Sequence, residues 1–183
     1  MDFRDKMSSW VKYADFLFEN KLTKVVALRN SPKIELASLA VGPFEEGNEY
    51  EVKFWIAEEL EKAGIVRLGG ETITAIRLHS LLHKERVQSA LDLSSLPEDF
   101  YPRIRRLVEE LKRSSRSSPE KMREYENAQK LFKDIFNCRL KKIVSLASTP
   151  GQKSQALRNL TLEELQLYEE LERIINDWRS EII

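Results

Sequence analysis

The sequence has one cysteine, two histidines, six glycines and six prolines in 183 residues, and no excess of charge of either sign. A single thiol, Cys138, excludes an internal disulfide framework; it lies in the apolar helical run FKDIFNCRLKKIVSLAS and reads as a buried structural cysteine. The scarcity of glycine and proline, beside 42% apolar residues, excludes a disordered chain. Thirty basic against thirty acidic residues create no overall field that would draw nucleic acid or an anionic membrane. No apolar run approaches the roughly twenty residues of a membrane span. The opening MDFRDKMSSWVKYADFLFEN mixes acids with bases and has no secretory cleavage pattern, so an intracellular protein is expected.

Catalytic patterns are equally scarce. His79 and His83 stand four apart in HSLLH, the ligand spacing of a zinc protease, but Ser80 occupies the position of the glutamate base that chemistry requires. They read as surface or interface histidines. Gly69-Gly70 is followed by neither Gly-x-x-Gly nor Gly-Lys-Thr, so no phosphate cradle is expected. No serine sits in a nucleophile elbow, and no pair of carboxylates can be singled out as acid and base. The expectation is a protein without catalytic activity, cofactor or metal.

Sixteen aromatic residues are enough to anchor a packed interior. Phe3, Met7, Trp10, Val11, Ala14, Leu17 and Phe18 recur at helical spacing and predict an opening amphipathic helix packed on the protein. KVVAL (24–28) predicts a strand, and IELASLAV (34–41) a further strand continuing the sheet after a turn at Asn30 to Pro32. Gly42-Pro43 breaks it, because glycine admits a positive φ and proline removes a ladder donor. Beyond the turn Glu46-Gly47-Asn48, YEVKF leads into WIAEELEKAG, a short helix with Trp55, Ile56, Leu60 and Ala63 inward and Gly64 as left-handed cap. IVRL then closes the unit. The fold class is α+β: a small β-rich domain with its opening helix over 1–69, then a larger helical domain over 70–183.

From Thr72 the pattern turns helical, beginning with Ile73, Ile76, Leu78, Leu81 and Leu82. Ser95 to Glu98 fits a capping box before DFYPRIRRLVEELKR. Ser118-Pro119 predicts the start of a helix of roughly 28 residues, ~40 Å long. Thr161 with Glu164 predicts another capping box, with Leu160 and Leu165 in staple positions and Leu165, Tyr168, Leu171, Ile175 and Trp178 on one face. Charge is segregated: 114–159 carries ten basic and four acidic residues, 160–183 two basic and seven acidic. The long helix has one stripe at Tyr125, Ala128, Phe132, Ile135 and Ile143. Leu131, Phe136, Leu140, Val144 and Ala147 widen it past the arc one partner helix needs. Intersubunit packing is the simplest cover for such a helix in a chain this small; an intrachain bundle core is the alternative.

A nucleic-acid reading rests on Arg103, Arg105, Arg106, Lys112, Arg113, Arg116, Lys121 and Arg123, gathered around the connector SSRSS. Arg103, Arg105, Arg106, Arg113 and Arg116 are the candidate phosphate contacts. Glu109, Glu110, Glu120 and Glu124 are interleaved with them, and no aromatic platform alternates with the arginines, so such contact is expected to be weak. A stand-alone DNA-binding protein acting through 103–123 is the alternative function.

Taken together, FLFENKLTKVVAL, GPFEEGNEYEVKFWIAEELEKAGIVRL, IFNCRLKKIVSLAS and NLTLEELQLYEEL, in this order, resemble a subunit of the GINS complex, the four-part accessory of the replicative MCM helicase. The resemblance spans roughly 16–178 and is strongest at Gly42-Pro43-Phe44, Gly47, Glu51-Val52, Trp55 and Arg67-Leu68. The family often shows Trp-Asp before the arginine matched by Arg139; here Phe136 and Asn137 stand there. The small domain in front resembles the second and third eukaryotic subunits and the archaeal subunit equivalent to both. The resemblance implies a non-catalytic scaffold in a tetramer, with a partner of opposite domain order (2:2), the MCM helicase and a RecJ-like protein as partners and no membrane. It implies a cytoplasmic, nucleoid-associated location, or the nucleus in a eukaryote. It makes Tyr125, Leu131, Phe132, Phe136 and Leu140 the candidate interface, with Phe44 and Trp55 in the core of the small module.

Overall fold

The computed structural model describes residues 3–36, 39–69, 73–149, 151 and 154–182. They form a small strand-containing unit and a larger helical one, an α+β arrangement in the order expected. The division falls inside helix α1 (Phe3–Asn20): its turns up to Ala14 belong with the residues from Ile73 onward, those from Asp15 with the small unit. The opening helix, expected within a 1–69 domain, is thus shared between the two units. Lys6 Nζ donates to Glu170 at 2.8 Å, which ties the first turns to the helical unit. Phe18, by contrast, packs on Phe54 with ring centroids 4.3 Å apart.

The small unit is built on strand β1 (Leu22–Ala27), which lies between β4 (Glu49–Lys53) and β5 (Val66–Leu68), antiparallel to both. Alternation along β1 sends Val25 and Ala27 inward, opposite Tyr50, Leu68 and Val66. Helix α2 (Phe54–Lys62) covers them with Ile56, Ala57 and Leu60. Trp55 is 36% exposed and leaves the expected core, since a helical step of about 100° turns it away from the Ile56–Leu60 face. Ala63 is exposed too, as the residue that caps α2. Gly64, at φ +66°, ends the helix as expected, and Ile65 and Gly64 donate back to the carbonyls of Leu60 and Glu61.

The segment 34–41 is not one strand. β2 (Ile34–Leu36) and β3 (Leu39–Val41) pair with each other, Ile34 opposite Val41, in a separate two-stranded sheet. No glycine or proline marks the reversal in sequence, and residues 37 and 38 lie outside the described residues. The cis peptide Gly42-Pro43 follows. Phe44 beyond it is in the core at 1% exposure, where Ser31 and Phe44 exchange both backbone hydrogen bonds and Tyr50 meets the ring edge-on. Gly42 has φ +84°, and a Cβ there would stand 3.1 Å from the Phe44 ring.

The helical unit adds α3 (Ala75–Val87), α4 (Phe100–Ser114), α5 (Pro119–Ser148), the short α6 (Ser154–Leu157) and α7 (Leu162–Ile182). Ser95 does not cap α4. The helix begins after Asp99, whose carboxylate accepts from Arg103 at 3.0 Å. The other two caps form as expected: Ser118 Oγ accepts from Lys121 N–H at 3.3 Å, while Thr161 and Glu164 bond reciprocally at 3.0 and 3.4 Å. With 30 residues, α5 is ~45 Å long and serves as the spine of the unit.

Candidate functional site

Two apolar clusters lie on α5, one on each half. On the first half Leu131 and Ile135 meet Leu78 and Leu82 of α3 with Phe100 and Ile104 of α4. On the second, Ile143, Leu146 and Ala147 meet Leu93 and Tyr168 of α7. Much of the α5 stripe therefore has a cover within the chain, in α3, α4 and α7, as the intrachain alternative expects, while Phe136 and Val144 stay exposed. Leu131, 7% exposed, belongs to the bundle core rather than to an interface.

Between the clusters, at the positions that continue the Ile135 stripe, stand Arg139 and Lys142. Arg139 is fully buried and Lys142 nearly so. A buried guanidinium must place all five of its N–H groups, and Arg139 does. Nε and Nη2 grip the two Glu164 oxygens at 2.6 and 2.7 Å. Nη1 donates to Glu85 at 2.6 Å and to the Ser94 carbonyl at 2.9 Å, and Nη2 also reaches the Asn159 carbonyl at 3.1 Å. Lys142 Nζ takes the second Glu85 oxygen at 2.9 Å and the Asp92 carbonyl at 2.7 Å. Tyr101 donates its hydroxyl to Glu164 at 2.6 Å. Two cations thus balance two anions, and a single cluster joins α3, α4, the segments carrying Ser94 and Asn159, and the first turn of α7.

The titration behaviour follows from these contacts. Burial would raise the Glu85 carboxyl, but the Lys142 hydrogen bond and the Arg139 charge prevail and hold it below its ordinary value. Burial pulls the Arg139 guanidinium down, and Glu164 more than offsets it, so the cation is stabilised. Burial and the adjacent Glu164 charge push the Tyr101 hydroxyl well up, which keeps it a donor. Glu85, Lys142 and Tyr101 were missed in the sequence. The available signal was the pair of cations at 139 and 142, interrupting an apolar stripe that resumes at Ile143 and Leu146.

The remaining candidate interface residues divide. Phe132 packs against the first cluster, and Tyr125 is half-buried with its hydroxyl accepting from Gln129 at 3.2 Å. Phe136, 47% exposed, Leu140, half-buried, and Val144, 42% exposed, form a ridge on the solvent side of α5. On α7 the residues Ile174, Trp178 and Ile182 are exposed, so Trp178 leaves the inward face on which Tyr168, Leu171 and Ile175 pack.

The candidate phosphate contacts do not form one free patch. Arg103 is engaged by Asp99, and Arg105 by Glu163 at 3.2 Å. Arg106 is half-buried, Arg113 lies 3.7 Å from Glu109, and Arg116 is exposed in the 3₁₀ turn of residues 115–117. His79 and His83 are exposed on α3; His79 lines a groove of about 940 Å³ between α3, α4 and α5 whose floor includes Leu78, Leu107, Leu111 and Leu131. Among the described residues no three His, Cys, Asp or Glu side chains converge as a metal site would require, and no helix is long and apolar enough to cross a membrane.

Residues 74–183 match the GINS complex protein helical bundle domain, and residues 11–68 match the PSF2 N-terminal domain. The human DNA replication complex GINS protein PSF2 is 26% identical over 155 residues, which cover 82% of this chain and 80% of the human protein. The bundle match spans α3 to α7, including every member of the Arg139 cluster, and the second match spans the sheet module. With two-domain correspondence in this order, the chain belongs to the GINS complex protein family.

Proposed function

We propose that this chain is a non-catalytic scaffold subunit of a GINS complex that supports the replicative MCM helicase in chromosomal DNA replication. The observation that carries the reading is the order of the two domains within one chain, the PSF2-type module before the helical bundle, matching a human relative named for that complex along four-fifths of its length. Its place is that of the archaeal subunit equivalent to the second and third eukaryotic ones. It assembles 2:2 with a partner of opposite domain order, and the tetramer engages MCM and a RecJ-like protein at the nucleoid. Tyr125, Phe132, Phe136 and Leu140 contribute the assembly face of α5. The engagement of Arg103 and Arg105 by acids of the same chain supports this reading over a stand-alone DNA-binding role.

Capture of the tagged chain from its host, followed by native mass spectrometry, tests the proposal. The expected result is a stoichiometric complex with chains of opposite domain order, accompanied by MCM. Recovery of the lone chain with nucleic acid and no protein partner overturns it.

A further inference from the structure

Three hydroxyl residues of the chain are followed by proline: Ser31, Ser118 and Thr149. Proline lacks the N–H that every other residue carries. A protein kinase that requires proline beside its acceptor has a pocket with no partner for an amide there, so any other residue leaves one unsatisfied. Selection sharpens when a base stands three residues beyond the acceptor, where it can meet acids of the kinase. Ser118-Pro119-Glu120-Lys121 has that base, whereas Ile34 and Gln152 occupy the equivalent positions after Ser31 and Thr149.

Hydrogen bonding separates the three further. Thr149 Oγ1 donates to the Ser145 carbonyl at 2.8 Å, and Ser31 Oγ to the Pro32 carbonyl at 3.4 Å. Ser31 is held in addition by both backbone bonds with Phe44. The other connector serines are tied in the same way: Ser114, Ser115 and Ser117 donate to the carbonyls three residues before them, at 3.0, 2.8 and 2.7 Å. Ser118 is the reverse. Its Oγ accepts from the Lys121 N–H at 3.3 Å, and its hydroxyl hydrogen goes to no acceptor among the described residues. The backbone there is extended, at φ −160° and ψ 155°, and every other residue from 116 to 124 is exposed. A kinase cleft can therefore draw this segment out with the loss of one helical turn.

We propose that Ser118 is a phosphorylation site for a proline-directed serine kinase, independent of the assembly role. Its Oγ attacks the γ-phosphorus of ATP and the bond from that phosphorus to the β–γ bridging oxygen breaks. ADP leaves, and the hydroxyl proton passes to the kinase's catalytic aspartate. On Ser114, Ser115 or Ser117 the new phosphate would face a carbonyl oxygen. On Ser118 it faces the Lys121 N–H and the first turn of α5, the positive end of a 30-residue helix. Arg116, Lys121 and Arg123, exposed and without ion pairs among the described residues, supply countercharge. Residues 112–123 carry five cations against Glu120, a net +4, which the phosphate lowers to about +2. The modification orders the turn between α4 and α5 and weakens the attraction of the same basic segment for a polyanion.

The test incubates the full chain with Mg-ATP and a cyclin-dependent kinase as the proline-directed probe, and locates phosphate by tandem mass spectrometry. A single phosphate is expected, on Ser118, with Ser31 and Thr149 unmodified. Pro119→Ala should abolish it. Lys121→Ala keeps the cap, in which only the backbone N–H takes part, and should slow the modification at least about fivefold. Circular dichroism verifies that each variant is folded. In the phosphorylated chain the Lys121 and Met122 amides should exchange more slowly than in the unmodified one. The chain captured from its host should carry the same phosphate. A chain left unmodified at Ser118, or modified first at Ser31 or Thr149, overturns the inference. So do rates indifferent to both Pro119→Ala and Lys121→Ala, and a host chain without the phosphate.

Discussion

The Arg139 guanidinium grips both oxygens of the Glu164 carboxylate, at 2.6 and 2.7 Å, while the same carboxylate accepts from the Thr161 N–H at 3.0 Å. The N-terminal capping box of α7 is therefore also the anion of a buried ion pair. The start of one helix is fastened to the middle of another, between two apolar clusters, where hydrocarbon alone would tolerate sliding. A bidentate pair with every donor satisfied admits one geometry.

Arg139→Met is expected to destabilise the protein by about 3–5 kcal/mol, because Glu164 keeps its burial and loses its cation, and Glu85 is left with Lys142 alone. Urea denaturation followed by far-UV circular dichroism measures it. A loss well under 1 kcal/mol would refute the account of the cluster as a closed network.

Stability is expected to fall on acidification. The Glu85 carboxyl is held below its ordinary value of 4.5, so its contribution is present above that value and is lost as pH falls through the lower folded-state value. Urea midpoints should change little from neutrality down to the ordinary carboxylate range through this group, then drop. Glu85→Gln should be less stable at neutral pH and lose less below that range. Equal acid slopes in the two proteins would contradict the assignment.

Thr161→Ala removes the hydroxyl that accepts from the Glu164 N–H at 3.4 Å and leaves the carboxylate bonds in place. A modest cost of about 1 kcal/mol is expected. Hydrogen exchange should show it as faster exchange in the first turn of α7. Unchanged protection there would mean that the cluster alone orders the turn.

Gly42→Ala meets two obstacles: a φ of +84° and a Cβ placed 3.1 Å from the Phe44 ring. A destabilisation of about 1–3 kcal/mol is expected. Hydrogen exchange at the β1 amides, followed against temperature, reports the module's melting apart from that of the helical unit. A substitution that leaves the module's melting temperature unchanged would show that the turn relaxes freely.

The legibility of the sequence varied with the range of the forces involved. The opening helix, the α2 cap at Gly64, the Ser118-Pro119 start and the Thr161–Glu164 box depend on bonds within a few residues of one another, and all were readable. The reversal between β2 and β3 carries no glycine or proline, so 34–41 reads as one strand. Trp55 looked like core because it is large and apolar. Its exposure depends on which side of α2 meets the sheet, and one step of the helix decides that.

The sequence by itself determined the order of elements, the α+β class and the resemblance to the GINS family, since periodicity, caps and motifs are local properties. Tertiary structure alone decided the rest. It assigned most of the broad α5 stripe to the chain's own helices, divided α1 between two units, and engaged Arg103 and Arg105 with acids at 99 and 163. It brought Glu85, Arg139, Lys142 and Glu164 into one cluster, although the two carboxylates are far apart along the chain. The physical reason is burial. A charged residue reads as surface until packing withdraws water from it, and which charges then meet depends on how the helices are placed in space.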